Sequence, residues 1–465
     1  MPSTFRHDLM KIRQTCAIVR QRCEAHSAWV FYIAIAALPV DGTVLGGYMP
    51  FWTPISPWLF ILYVVLNARK LQDVDRVFRA MSVFPIILME ISVYGWATVG
   101  FRPDTVWLTV SGLAGASACL LSLYIAFTIN KLPYSRILNI LIAAYCVSFI
   151  VGIVEFIAIR GNFTTFADIL KALFSRQYLV GAHADGYGRP QFLFAEPSYI
   201  GMHLFGVLLP LYWVTRKRRI ITLVFVYAGG SIAMGSGVRI LLDCIVAALA
   251  SCIVLTDWHS LKSRIIAVTS SLSAVVALTI TCIFNPRVQS LLTNGLFSAD
   301  KSMAARLLRF LIPIEAGIHD FPHLLFGYGA GNIYDSFGAG MSYGLKAFQS
   351  LNHGVPYPEY HKWTDVQHLS TPYNMYTMSA YSSLLAEFGI LGIVFLIVTV
   401  VALISGRHAW NPMTAGWLLL IAYLYIQFEG YAFYALPLFL WGILTGNTRT
   451  TSVQSRPVDA SISRR

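Results

Sequence analysis

The chain has 465 residues, of which 56% are hydrophobic and 12% charged, and its mean hydropathy is +0.62. A soluble globular domain carries about 25% charged residues, so this chain is not one whose surface faces water throughout. Its net charge of +12 would point to nucleic acid in a soluble protein; in a membrane chain, basic residues collect in cytoplasmic loops, and no nucleic-acid partner is expected.

Apolar runs near 20 residues long mark helices as the spanning elements, since barrel strands give short alternating segments. Residues 1–27 form a basic N-terminal segment without a short apolar core and cleavage site, so no removable signal peptide is read there. Apolar runs then follow at 28–48, 52–67, 80–100, 105–129, 137–159, 191–214, 220–235, 239–256, 265–284, 381–405, 413–428 and 431–446. The expected fold is therefore an all-α polytopic membrane protein with about 12 transmembrane helices. Spans one to nine occupy 28–284 and spans ten to twelve 381–446, with a polar tail over 447–465.

Lysine and arginine placement sets the topology. With the N-terminus inside, 22 of the 34 basic residues fall in inside segments, among them Arg69, Lys70, Arg76, Arg79 and the run Arg216–Arg219. Most of the remainder lie in two long outside segments, 160–190 and 285–380, which weigh little in topology. Both termini are thus expected in the cytoplasm. The segment 285–380, between the ninth and tenth spans, is long enough to be functional rather than a connector. No internal repeat is visible, which weighs against a secondary transporter.

The seven cysteines show no CxxC or Cys/His ligand spacing, and none lies in 285–380. Neither disulfides nor a metal site is expected, and no cofactor. Five polar residues converge on the outer side. Arg189 and Glu196 lie in GRPQFLFAEPSYIG, Arg239 opens the eighth span in GSGVRILLD, and Arg306 and Arg309 lie three apart in SMAARLLRF. Charged groups at membrane depth are costly and tend to mark function, and guanidinium forks match phosphate oxygens. The bland alternatives stand beside this: Arg189 and Arg239 snorkelling to headgroups, and Glu196 sitting at a helix start with Pro197 in the first turn.

Within 285–380, GYGAGN at 327–332 follows no strand, so it is read as a tight turn rather than a dinucleotide fingerprint. Histidines 319, 323, 353, 361 and 368 show no ligand spacing and are read as solvated loop residues. The abundant Tyr and Trp suit interfacial anchoring, with stacking on sugar rings as the other use.

Four segments, in order, resemble the O-antigen polymerase and ligase superfamily of bacterial surface polysaccharide assembly. They are GRPQFLFAEPSYIGMHLF, GSGVRILLDCIVAAL, SMAARLLRFLIPIEAGIHDFPHLLFGYGAGNI and SSLLAEFGILGIVFLIV, together covering roughly residues 185–400. The resemblance implies a GT-C-like, metal-independent membrane glycosyltransferase of the bacterial inner membrane. It would polymerise undecaprenyl-diphosphate-linked oligosaccharide repeat units into O-antigen or exopolysaccharide at the periplasmic face. Its implied partners are the lipid-linked oligosaccharide, membrane lipids, and flippase and chain-length regulator proteins. Arg189, Arg239 and Arg306 would neutralise the diphosphate leaving group, with Arg309 as a further substrate contact. Where many members carry a His-Asn pair, this chain has Tyr373 and Asn374, with His368 nearby. That departure favours polymerase over ligase and leaves Glu196 as the candidate base, or else as a partner holding an arginine. A ligase acting on lipid A-core, or a lipid-glycan flippase, are the alternatives.

Overall fold

The computed structural model describes residues 27–40, 42–45, 55–163, 165, 169–170, 172–174, 188–236, 239–284, 289, 301–351, 371–372, 375–427 and 434–446. Among the described residues the chain is helical, without a named strand; one isolated bridge pairs Thr43 with Phe174. The helices are α1 (Ser27–Ala36), α2 (Ile55–Leu66), α3 (Arg76–Val99), α4 (Pro103–Ile129), α5 (Tyr134–Arg160), α6 (Tyr199–Thr215), α7 (Arg218–Ala233) and α8 (Arg239–Leu255). They continue with α9 (Leu261–Phe284), α10 (Lys301–His319), α11 (Phe321–Phe326), α12 (Ile333–Leu351), α13 (Ala380–Gly406), α14 (Pro412–Gln427) and α15 (Ala435–Leu444). Four of the described helices, α3, α4, α5 and α13, are long and apolar enough to cross a membrane. This length follows from a hydrocarbon core about 30 Å thick and a rise of about 1.5 Å per residue. Helices α1, α2, α6, α14 and α15 are apolar but shorter.

Two expectations change. The apolar run at 191–214 is not helical from its start: the helix begins at Tyr199, and residues 192–198 form turns and bends. The segment 285–380 is no plain loop, because α10, α11 and α12 lie within it. Helices α10 and α12 are amphipathic and pack on each other through Ala304, Leu308 and Ile312 against Phe337, Met341, Leu345 and Phe348. Polar residues elsewhere on each helix gave the stretch its hydrophilic appearance.

The chain forms two compact units. The first comprises Met1–Phe84 and Gly112–Glu196, the second Pro85–Ser111 and Pro197–Arg465. In the first, Phe31 packs against Tyr63 at 5.1 Å, Phe60 at 6.0 Å and, edge-on, Phe127 at 6.1 Å between ring centroids. The turn after Arg189 is held by a buried acid of α5. Glu155 Oε2 accepts the backbone N–H groups of Gln191 (2.9 Å) and Phe192 (2.7 Å), and Phe192 takes a left-handed φ of +59°. Ser148 Oγ takes the next N–H, from Leu193, and Gly42 N–H donates to the Leu193 carbonyl. A helix begun at residue 191 would lose these contacts, which is why the apolar run starts as a turn.

The second unit is organised around Gly327–Asn332. Glycines 327, 329 and 331 have φ of +74°, +90° and +81°, a region that residues with a β-carbon enter at a cost. The turn presses into α13 where that helix is itself broken: Gly389 has φ 62° and ψ −165°. Tyr328 and Gly329 donate backbone N–H groups to the carbonyls of Ala386 (2.7 Å) and Glu387 (3.0 Å). The Glu387 carboxylate, fully buried, accepts Gly331 N–H at 2.6 Å and the Thr109 hydroxyl at 2.5 Å. Ser92 Oγ takes Ala330 N–H, Trp96 Nε1 donates to the Ala330 carbonyl, and Asn332 Nδ2 donates to the carbonyls of Gly100 and Tyr328. Arg102 closes the outer side with a two-pronged pair to Asp335 and a bond to Asn332 Oδ1. The hydrogen bond to Asp335 raises the Arg102 pKa above its ordinary value.

Two substitutions test this lock. Glu387→Leu leaves the buried Gly331 N–H and Thr109 hydroxyl without their acceptor, at about 1–3 kcal/mol for each unpaired donor. Gly331→Ala sets a β-carbon 2.5 Å from Val106 N at φ +81°. Both are expected to lower the thermal midpoint of the detergent-solubilised protein; a midpoint equal to wild type for Glu387→Leu would show that the carboxylate does not hold the turn.

Candidate functional site

Helix α8 opens on Arg239 and carries one acid in its apolar run, Asp243, four residues on. That spacing puts both side chains on one face, one turn apart. Arg239 Nε lies 3.8 Å from Asp243 Oδ2, and the aspartate side chain is only 1% exposed while the arginine keeps 16%. Two other helices of the second unit converge on the carboxylate. From α14, the Tyr423 hydroxyl donates to Oδ1 at 2.7 Å. From α6, Gly201 comes so close that a β-carbon there would stand 2.0 Å from Oδ2. Oδ2 itself carries no hydrogen bond. The charge of Arg306, on α10, acts on the same carboxylate.

The result is a buried carboxyl group beside one guanidinium and one phenol, with the charge of Arg306 also acting on it. A buried carboxylate without such partners would be strongly disfavoured. Packing around α8 and α14 makes the arrangement rigid: Trp417 of α14, fully buried, meets Trp213 at 6.5 Å and Phe439 at 5.4 Å. Arg239 is the more exposed member of the pair with Asp243, and its guanidinium suits an anion with paired acceptor oxygens.

Of the sequence-identified arginines, Arg239 thus stands beside this carboxylate, and the charge of Arg306 acts on it. Arg189 and Glu196 belong to the first unit, both half-buried, at the two ends of the turn held by Glu155. Glu196 precedes the first helical residue by three positions, so it does not sit in the first turn of α6. Arg309 shares α10 with Arg306, but its guanidinium lies 4.2 Å from the Tyr376 ring centroid and Nη1 donates to the Tyr376 carbonyl at 2.6 Å. That contact ties α10 to the segment leading into α13. His368, Tyr373 and Asn374 lie outside the described residues.

Sequence reasoning missed Asp243 and Tyr423. The Arg-x-x-x-Asp spacing in RILLD was a usable signal for the first; nothing local marks Tyr423, which is 180 residues away. His323 is not a solvated loop residue either. It is buried, with Nδ1 2.7 Å from Asp320 Oδ2 and Nε2 2.9 Å from Thr98 Oγ1, and it stacks on Tyr328 at 4.2 Å. Among the described residues no group of three His, Cys, Asp or Glu side chains is placed to hold a metal ion. No protein-family model, curated protein or solved structure matches the chain.

Gly201→Ala is the direct probe of the close approach. The added methyl lies well inside contact distance of Asp243 Oδ2, so α6 or the carboxylate must move, at about 1–3 kcal/mol. A detergent thermal melt should show the loss; a melt identical to wild type would mean that α6 and α8 do not meet at this point.

Proposed function

We propose that the protein is a membrane glycosyltransferase that polymerises lipid-linked oligosaccharide repeat units on the outer face of a bacterial inner membrane. The single observation that supports this most is the Arg239–Asp243–Arg306 cluster in a chain of long apolar helices. In the reaction, a hydroxyl oxygen of an acceptor sugar attacks the anomeric carbon of the donor. The bond from that carbon to the diphosphate oxygen breaks, the electron pair leaves with the undecaprenyl diphosphate, and the hydroxyl proton passes to a base. Charge develops on the departing diphosphate, and preset cations at that point lower the barrier. Arg239 and Arg306 take this role here, and the resemblance of its segment gives Arg189 the same role. Arginine suits the task because its planar fork binds two phosphate oxygens, which an ammonium cannot do. Glu196 is the candidate base for the acceptor hydroxyl.

Deleting the gene and sizing the surface or secreted glycan tests the reading. Loss of long-chain polymer, with single lipid-linked repeat units accumulating on the periplasmic side, is the expected result. Normal long-chain polymer would overturn it, and repeat units retained on the cytoplasmic side would identify a flippase instead. In complementation, Arg239→Lys and Arg306→Lys should restore little or no polymer. Glu196→Gln discriminates the base role: a stably inserted variant that polymerises at the wild-type rate removes Glu196 from the chemistry.

A further inference from the structure

Arg239 has an acid one turn on along its own helix, Asp243. That carboxylate is shut away from water, with 1% of its side chain exposed. It is fixed on one oxygen by the Tyr423 hydroxyl at 2.7 Å. Its other oxygen is crowded by α6 at Gly201, where even a β-carbon would be 2.0 Å away. A group so enclosed is badly placed to contact a lipid-linked sugar. It is well placed to set the position of the arginine one turn before it.

We propose that Asp243 is a positioning residue: held by Tyr423 and seated against Gly201, it fixes the Arg239 guanidinium for the diphosphate of the donor. This rests on the glycosyltransferase reading above. The role is indirect, so its signature lies in turnover and in coupling to Arg239 rather than in substrate contact. Asparagine is nearly the same shape, and its amide oxygen can still accept from Tyr423. Asp243→Asn therefore removes the charge while keeping the packing.

The test uses the full chain in lipid nanodiscs, with a lipid-linked repeat unit as substrate and inorganic pyrophosphate as the binding probe. Asp243→Asn is expected to fold, to lower kcat by about tenfold or more through loss of preset geometry, and to change KM far less. Asp243→Asn added to Arg239→Lys should cost little more than Arg239→Lys alone, because both break one arrangement. A merely structural aspartate would lower the thermal midpoint while leaving kcat per folded molecule and the coupling unmoved. Should Asp243→Asn not fold, Tyr423→Phe, which removes one hydroxyl, is expected to lower kcat several-fold with the same coupling to Arg239. Wild-type kcat in the folded variant, or losses that multiply independently with Arg239→Lys, would overturn the inference while leaving the functional reading in place. A wild-type chain that neither polymerises the lipid-linked unit nor binds pyrophosphate would instead overturn the functional reading, and this inference with it.

Discussion

The second unit depends on one buried carboxylate. Glu387 lies fully out of water at the break in α13, and its Oε1 accepts both the Gly331 amide and the Thr109 hydroxyl. The turn Gly327–Asn332 has the shape it has because its amides must reach that helix: three successive odd-numbered glycines at positive φ aim the N–H groups of 328, 329 and 331 at α13. Gly389 completes the fit. Its own positive φ opens the helix, and a β-carbon there would lie 2.3 Å from the Leu325 carbonyl oxygen. The turn and the helix break therefore need each other, and either one alone would leave polar backbone groups without partners.

The same solution appears in the first unit with different residues. Glu155, inside α5, takes two consecutive amides of a turn that enters the fold beside it. Within a bilayer, non-helical backbone is tolerated only where protein or enclosed water satisfies it. An acid placed mid-helix is a costly residue, but it offers two oxygens that accept several N–H groups, which a neutral hydroxyl cannot match. Both turns therefore have a structural reason for their residues. For GRPQFLFAEPS the anchoring acid is Glu155, 34 residues upstream of Arg189 and outside the segment itself.

The sequence made the helices legible because hydropathy over twenty residues is a strong signal: α3, α4, α5 and α13 fall close to the runs read from composition alone. It also made Gly327–Gly331 legible as a turn, since glycine spacing reports directly on backbone freedom. It hid the start of α6, because PQFLFA is apolar enough to imitate a span while its amides are committed to Glu155 and Ser148. It hid α10 and α12, whose polar residues broke the apolar run even though each buries a full stripe. At the site, arginines stood out as single charges in apolar surroundings. Of their partners, Asp243 was legible from its spacing to Arg239 but was passed over, and Tyr423 is brought to it only by the packing of α14 on α8.

Charge in an apolar bundle also explains why Arg239 comes with an acid one turn away. A guanidinium loses hydration on entering the fold. The Asp243 carboxylate offsets part of that loss, but it must itself be desolvated, which only further hydrogen bonding makes tolerable. Tyr423 supplies that bond and Gly201 the space. The 16% exposure of Arg239 leaves part of its guanidinium open while its acidic partner is shut away, so the pair shows its positive member rather than its negative one.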